Sequence, residues 1–132
     1  MRAATILPFR RDPFARVTVD PERRARQRSR PPADLDYVIH FTPRSGSSRL
    51  TEILAATKRL SAANEAFNPG FVPRMAQALN AADLDDYVAA LKRRFNTGGI
   101  YGVEVTAHQV AALFGGFEAF HAHFPEARHL WL

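Results

Sequence analysis

Cysteine is absent from this chain of 132 residues. That excludes a disulfide, a thiolate zinc site and a cysteine nucleophile, and it fits a reducing, cytoplasmic setting. Long apolar runs are missing too: none approaches the ~20 residues that a membrane helix requires. The apolar stretch from Ala3 to Pro8 is shorter than a secretory signal core and runs into arginines and acids. The GxxxxGKS/T pattern of ATP and GTP hydrolases does not occur, so neither its lysine nor its magnesium-binding hydroxyl is expected. His121 and His123 lie two apart and diverge on a helix, so no metal site is expected from them.

Glycine is missing from residues 1–34, which instead carry five prolines, nine arginines and four acids. The other 98 residues hold nine basic and nine acidic side chains, so the whole net charge of +5 sits in this N-terminal segment. Such composition, with no sustained apolar period, predicts an extended or disordered Arg/Pro-rich tail over 1–34. Phe9 and Phe14 are its sole aromatics, too few for base stacking, so a nucleic-acid partner is not expected. The remainder, 46% apolar and 11% aromatic across the chain, has enough material for one globular domain over 35–132.

From residue 35 the pattern alternates strand and helix. Tyr37-Val38-Ile39-His40-Phe41 reads as a first strand. Leu50, Ile53, Leu54 and Thr57 then recur at helical spacing and predict one buried face. A second helix follows Pro73, with Met75 and Leu79 on one side. A third carries Leu84, Tyr87, Val88, Leu91 and Phe95, with Asn80 as its cap and Asn96-Thr97-Gly98-Gly99 as its stop. Ile100 to Thr106 is rich in β-branched and aromatic residues and predicts a second strand. Helical segments around Val110 and Phe120, split by Gly115-Gly116, lead to a third strand at Arg128 to Leu132. Strands separated by helices imply an α/β fold with a parallel sheet, whose ligands bind beyond the carboxyl ends of the strands.

The hexapeptide Pro43-Arg44-Ser45-Gly46-Ser47-Ser48 stands at such an end, between the first strand and the first helix. A helix N-terminus presents unpaired N–H groups and positive potential, and so holds an anion. Gly46 supplies the positive φ of the turn, Arg44 a fixed charge, and Ser45, Ser47 and Ser48 hydroxyl donors. The same residues also suit a plain turn followed by a helix cap, and both readings stand on the loop alone.

Thr42 to Ser48, the helix Arg49-Leu50-Thr51-Glu52-Ile53-Leu54 and the later Asn64-Glu65-Ala66-Phe67 together resemble the start of a bacterial sulfotransferase of the trehalose-2-sulfotransferase type. That family reads roughly PRSGST, a helix, an E-x-F acid, then a strand of the form GxKxxxxQ. Tyr101 to Gln109 is similar to that strand, and the resemblance covers about residues 37 to 132. It implies a P-loop-like parallel sheet with flanking helices and a reaction moving the sulfuryl group of 3′-phosphoadenylyl sulfate (PAPS) to an acceptor hydroxyl, with no metal. Arg44, Ser45, Gly46, Ser47 and Ser48 would then hold the 5′-phosphosulfate, and Glu65 would be the general base. The acceptor would be a small molecule, a sugar or glycolipid, and the full-length enzyme a homodimer. Two departures stand beside it. Glu104 occupies the position of the family's lysine, and the family's 3′-phosphate-binding arginine and serine would fall after Leu132. The resemblance therefore implies an N-terminal fragment, truncated after the third strand and inactive alone. The competing class is a non-catalytic phosphate- or nucleotide-binding α/β module.

Other residues carry weaker signals. His40, inside an apolar strand, reads as a core histidine satisfied by hydrogen bonds. His108 follows the second strand and faces the acceptor side or solvent; Glu104 is a second acid at the cleft or an outward strand position. Thr106 and Gln109 are candidate substrate contacts, while Phe67 and Phe71 either shape an acceptor pocket or belong to the core.

Overall fold

A computed structural model describes residues 12–42, 45–60 and 63–132. Among them the order is α1 (Pro21–Arg28), β1 (Leu35–His40), α2 (Ser47–Ala56), α3 (Val72–Ala78), α4 (Leu84–Arg94), β2 (Ile100–Val105), α5 (Ala107–Phe114), α6 (Phe117–His123) and β3 (Arg128–Trp131). The strands form one parallel sheet in the order β2-β1-β3, with Ile39 opposite both Glu104 and Leu130. The expected α/β architecture with a parallel sheet is present.

β1 lies between the other two strands, and its last four residues are buried, as the apolar run requires of a strand covered on both faces. Alternation along it divides the molecule. Val38 joins the main core with Phe67, Tyr87, Leu91, Val103, Val105, Phe114, Phe120 and Phe124. Tyr37 and Ile39 face the other way, toward Ala63 and the partly buried Leu50 and Leu54 of α2. Tyr37 can lie across β2 because Gly102 opposite it has no Cβ; one there would overlap the phenol ring. The main core is largely aromatic: Phe67 meets Phe114, Phe120 and Phe124 edge-on, with centroids 5.0 to 6.2 Å apart.

The helix faces depart from the pattern expected. Ile53 is 54% exposed and Thr57 is also exposed, and α2 packs through Ser47, Leu50, Thr51 and Leu54 instead. A polar residue at the start of the buried face follows from its position over the carboxyl end of the sheet. Asn80 does not cap α4. Asp83 does, its side chain accepting from Asp86 N, while Asn80 adopts φ 56° one turn earlier.

Within the segment expected to be a disordered tail, residues 12–34 are described and carry α1; residues 1–11 lie outside those described. Asp20 caps α1 by accepting from the amides of Glu22 and Arg23, and Pro21 opens the helix without a lost hydrogen bond. The segment docks on the end of α3 and on α4. Asp20 N donates to Asn80 Oδ1 at 2.8 Å, and Asn80 Nδ2 donates back to Asp20 O at 3.0 Å. Arg24 pairs with Asp86, and Arg93 donates to the carbonyls of Arg28 and Arg30. Phe14 packs edge-on against Tyr87 at 5.9 Å. The arginines are thus partly employed in holding the segment to the domain, and Phe14 with Val17 supplies the apolar contact that composition alone concealed.

Candidate functional site

The chain leaves β1 at the carboxyl end of the sheet, passes Phe41 and Thr42, and enters α2 through Gly46. Gly46 has φ 92° and ψ 13°, a left-handed conformation that glycine takes at little cost. Pro43 and Arg44 lie outside the described residues. No side chain caps the first turn of α2 among those described, whereas Asp20, Asp83 and Thr106 cap α1, α4 and α5. Ser45, Ser47 and Ser48 therefore do not act as the cap that the plain reading of this loop required. Ser45 Oγ is buried with no hydrogen-bond partner. Ser47 is buried under the first turn, and Ser48 is exposed beside it.

Glu65 is brought to the same end of the sheet by a single parallel bridge. Asn64 pairs with Val103, and Asn64 O accepts from Glu104 N at 3.0 Å, so the chain before α3 runs along the free edge of β2. Glu65 Oε1 accepts from Gln109 Nε2 at 2.9 Å. Gln109 is itself fixed by a capping box at the start of α5: Thr106 Oγ1 accepts from Gln109 N, and Gln109 Oε1 accepts from Thr106 N. One amide side chain thus closes the helix cap and orients the acid. Gln109 and Thr106, the candidate substrate contacts, are thus joined to each other, and Gln109 also holds Glu65.

Glu104 lies inward. It is 8% exposed on the α2 face of β2, and its Oε2 has no hydrogen-bond partner. Burial pushes its carboxyl above the ordinary range and the neighbouring Glu65 charge adds to this, while a hydrogen bond from Ser47 acts the other way. The two acids and Ser47 therefore share one corner. The burial of Glu104 excludes the outward strand position for this residue.

A second feature of this end of the sheet is an apolar cleft of about 280 Å³ between β1, β3 and the start of α5, bounded by His40, Phe41, Val110, Phe117 and Trp131. His40 stacks on Trp131 at 3.7 Å, and its Nε2 meets His129 Nδ1 at 2.8 Å. Burial first, and His129 second, lower the His40 pKa to about 4. His40 is thus a buried, hydrogen-bonded histidine, as its place in the apolar run suggested. Phe67 is fully buried in the core; Phe71 is 55% exposed and lines a different hollow with Arg74 and Met75. His108 is exposed on the first turn of α5. His123 meets Asp85 and the Ala119 carbonyl, whereas His121 stacks on His129. Among the described residues no three His, Cys, Asp or Glu side chains gather to hold a metal, and no helix is long and apolar enough to cross a membrane.

The pairing of Glu104 with Glu65 was not legible in the sequence, because it depends on the bridge from Asn64 to β2. The cleft was equally hidden, since Trp131 and His40 meet through strand pairing across 91 residues. No family model, curated protein or solved structure matches this chain.

Proposed function

We propose that this chain binds the phosphosulfate of PAPS on the first turn of α2 in a P-loop-like arrangement, and that it belongs to the machinery of sulfuryl transfer to an acceptor hydroxyl. The observation that carries the reading is the glycine-initiated, side-chain-uncapped start of α2 at the carboxyl end of the central strand, with Glu65 oriented at the same end by Gln109. Its donors suit an oxyanion: the amides of the first turn, and the hydroxyls of Ser45, Ser47 and Ser48. The motif order from Thr42 to Glu65 supports sulfuryl over simple phosphate binding by its resemblance to the sulfotransferase pattern.

The chemistry asks little of the protein beyond placement. In-line displacement at sulfur breaks the bond to the bridging phosphate oxygen as the acceptor oxygen attacks. The developing charge on the leaving phosphate is met by the loop donors. Glu65 accepts the acceptor's proton, and the hydrogen bond from Gln109 keeps its carboxylate in one orientation. The apolar cleft beside His40 and Phe117 offers a face for the ring or alkyl part of a sugar or glycolipid acceptor.

Calorimetric titration with PAP, the desulfated product, tests the binding step: saturable binding is expected, and its loss in Gly46→Val. Absence of binding by the native chain removes the phosphosulfate reading. In a form of the protein that turns over PAPS with a sugar acceptor, Glu65→Gln is expected to lower the rate by about 10²- to 10⁴-fold with PAP affinity retained. A rate indifferent to that change would assign the loop to a binding module.

A further inference from the structure

We propose that Glu104 acts as a neutral hydrogen-bond donor in the anion site, its Oε2 carrying a proton that it donates to an oxygen of the sulfate or phosphate group seated on the first turn of α2. The inference rests on the reading of that turn as an oxyanion site.

Four observations lead to it. Glu104 is more than nine-tenths buried, and Oε2 has no partner within the protein. An ionised oxygen left so would be desolvated without compensation, whereas a protonated one that donates to a ligand is satisfied. Ser47, the buried first residue of α2, is close enough to act on the same carboxyl group, which puts Glu104 beside the first turn of that helix. The groups facing Glu104 offer no compensating positive charge among the described residues. They are Glu65 from the segment bridged to β2, Tyr37 from β1 and Ser47 from α2, with Gln109 of α5 occupied by Glu65. Finally, burial and the Glu65 charge both favour the protonated form.

A charged Glu104 would repel the anion that the helix N-terminus attracts. A protonated one replaces an expected cation with a directional donor. It also makes binding depend on pH in a way set by the protein alone when the ligand is sulfate, whose charge does not change between pH 4 and 9.

Sulfate is therefore the probe, titrated calorimetrically into the full chain from pH 4.5 to 8.5. Native affinity is expected to fall toward a tenfold loss per pH unit once the pH exceeds the Glu104 titration, the slope for one linked proton. Glu104→Gln retains an amide donor without a titrating charge, and should bind sulfate with little dependence on pH apart from that shared with the histidines. Glu65→Gln, which leaves Glu104 in place, should move the native midpoint toward acid, since a charge that favours the protonated form is gone. A native affinity flat across this range, or parallel profiles for native and Glu104→Gln, overturns the proposal. So does a Glu104→Gln chain that binds sulfate more tightly than native at pH 4.5, which would mean an ionised glutamate had been repelling it. No sulfate binding by any form, at any pH, would instead overturn the oxyanion reading of the loop and this inference with it.

Discussion

Gly46 and Gly102 serve this chain for different physical reasons. At Gly46 the backbone is left-handed at φ 92° with nothing near the absent Cβ, so a side chain would be strained without being crowded. Gly46→Ala is therefore expected to cost about 1–2 kcal/mol of stability, read from a urea midpoint, and to weaken sulfate binding by disturbing the first turn of α2. At Gly102 the dihedrals are ordinary and space decides, because a Cβ would enter the Tyr37 ring. Gly102→Ala should destabilise by about 1–3 kcal/mol, as overpacking does. Adding Tyr37→Leu should recover part of that loss; a double variant no better than the single one would refute the ring as the cause. From the sequence the Gly46 turn was legible, since a glycine among serines before a helical period has a local meaning. Gly102 was not, because its constraint comes from a residue on another strand.

At the scale of elements, the segment from Asp12 to Asp34 teaches most. Its composition argued for disorder, yet Asp20-Pro21-Glu22 is a helix-start signal, with a capping acid, a proline in the first turn and a further acid beside it. The signal was present, but its stability depends on a partner that composition does not describe. That partner is Asn80, 3% exposed, which exchanges two hydrogen bonds with the Asp20 backbone from a left-handed turn. Asn80→Ala is expected to cost about 2 kcal/mol, from two lost hydrogen bonds and a conformation alanine resists. Amide exchange in Pro21–Arg28 should accelerate more than in β1. Uniform exchange across both would show that α1 is not held through this contact. α2 carries a related lesson. Its apolar spacing located the helix correctly but misassigned the buried face, since Ile53 points out while Ser47 and Thr51 point in. A helix whose first turn lies over the end of a sheet buries polar groups there, against the usual apolar stripe.

Across the whole molecule, buried titratable groups impose opposing dependences on pH. His40 titrates near 4 in the folded chain and at the ordinary value of 6.5 once exposed. Between those values the unfolded state binds more protons, so stability is lost as pH falls through that window. The lowered His129 acts in the same direction. Glu104 behaves oppositely: its raised folded value means the native state retains a proton above pH 4.5 that the unfolded chain has released, so its contribution declines as pH rises through the interval. Urea midpoints from pH 4 to 8 should show an acid-side fall that flattens in His40→Phe, a change that keeps an aromatic ring against Trp131. Glu104→Gln should gain on native as pH rises from 4.5. Unchanged acid-side slopes in His40→Phe would place the responsible groups elsewhere.

What the sequence determined by itself was local and periodic: the alternation of strands and helices, hence a parallel sheet; the turn at Gly46; and the motif order from Thr42 to Glu65. These follow from spacing along one chain. Tertiary structure decided what depends on residues far apart. It drew the arginine-rich segment onto α4 through Asn80 and Asp86. It placed Glu65 beside Glu104 through the bridge from Asn64 to Val103, and closed the His40–Trp131 stack by pairing β1 with β3. In each case burial set the outcome. A charge or ring acquires its chemistry from the neighbours that displace water around it, and those neighbours are chosen by the fold.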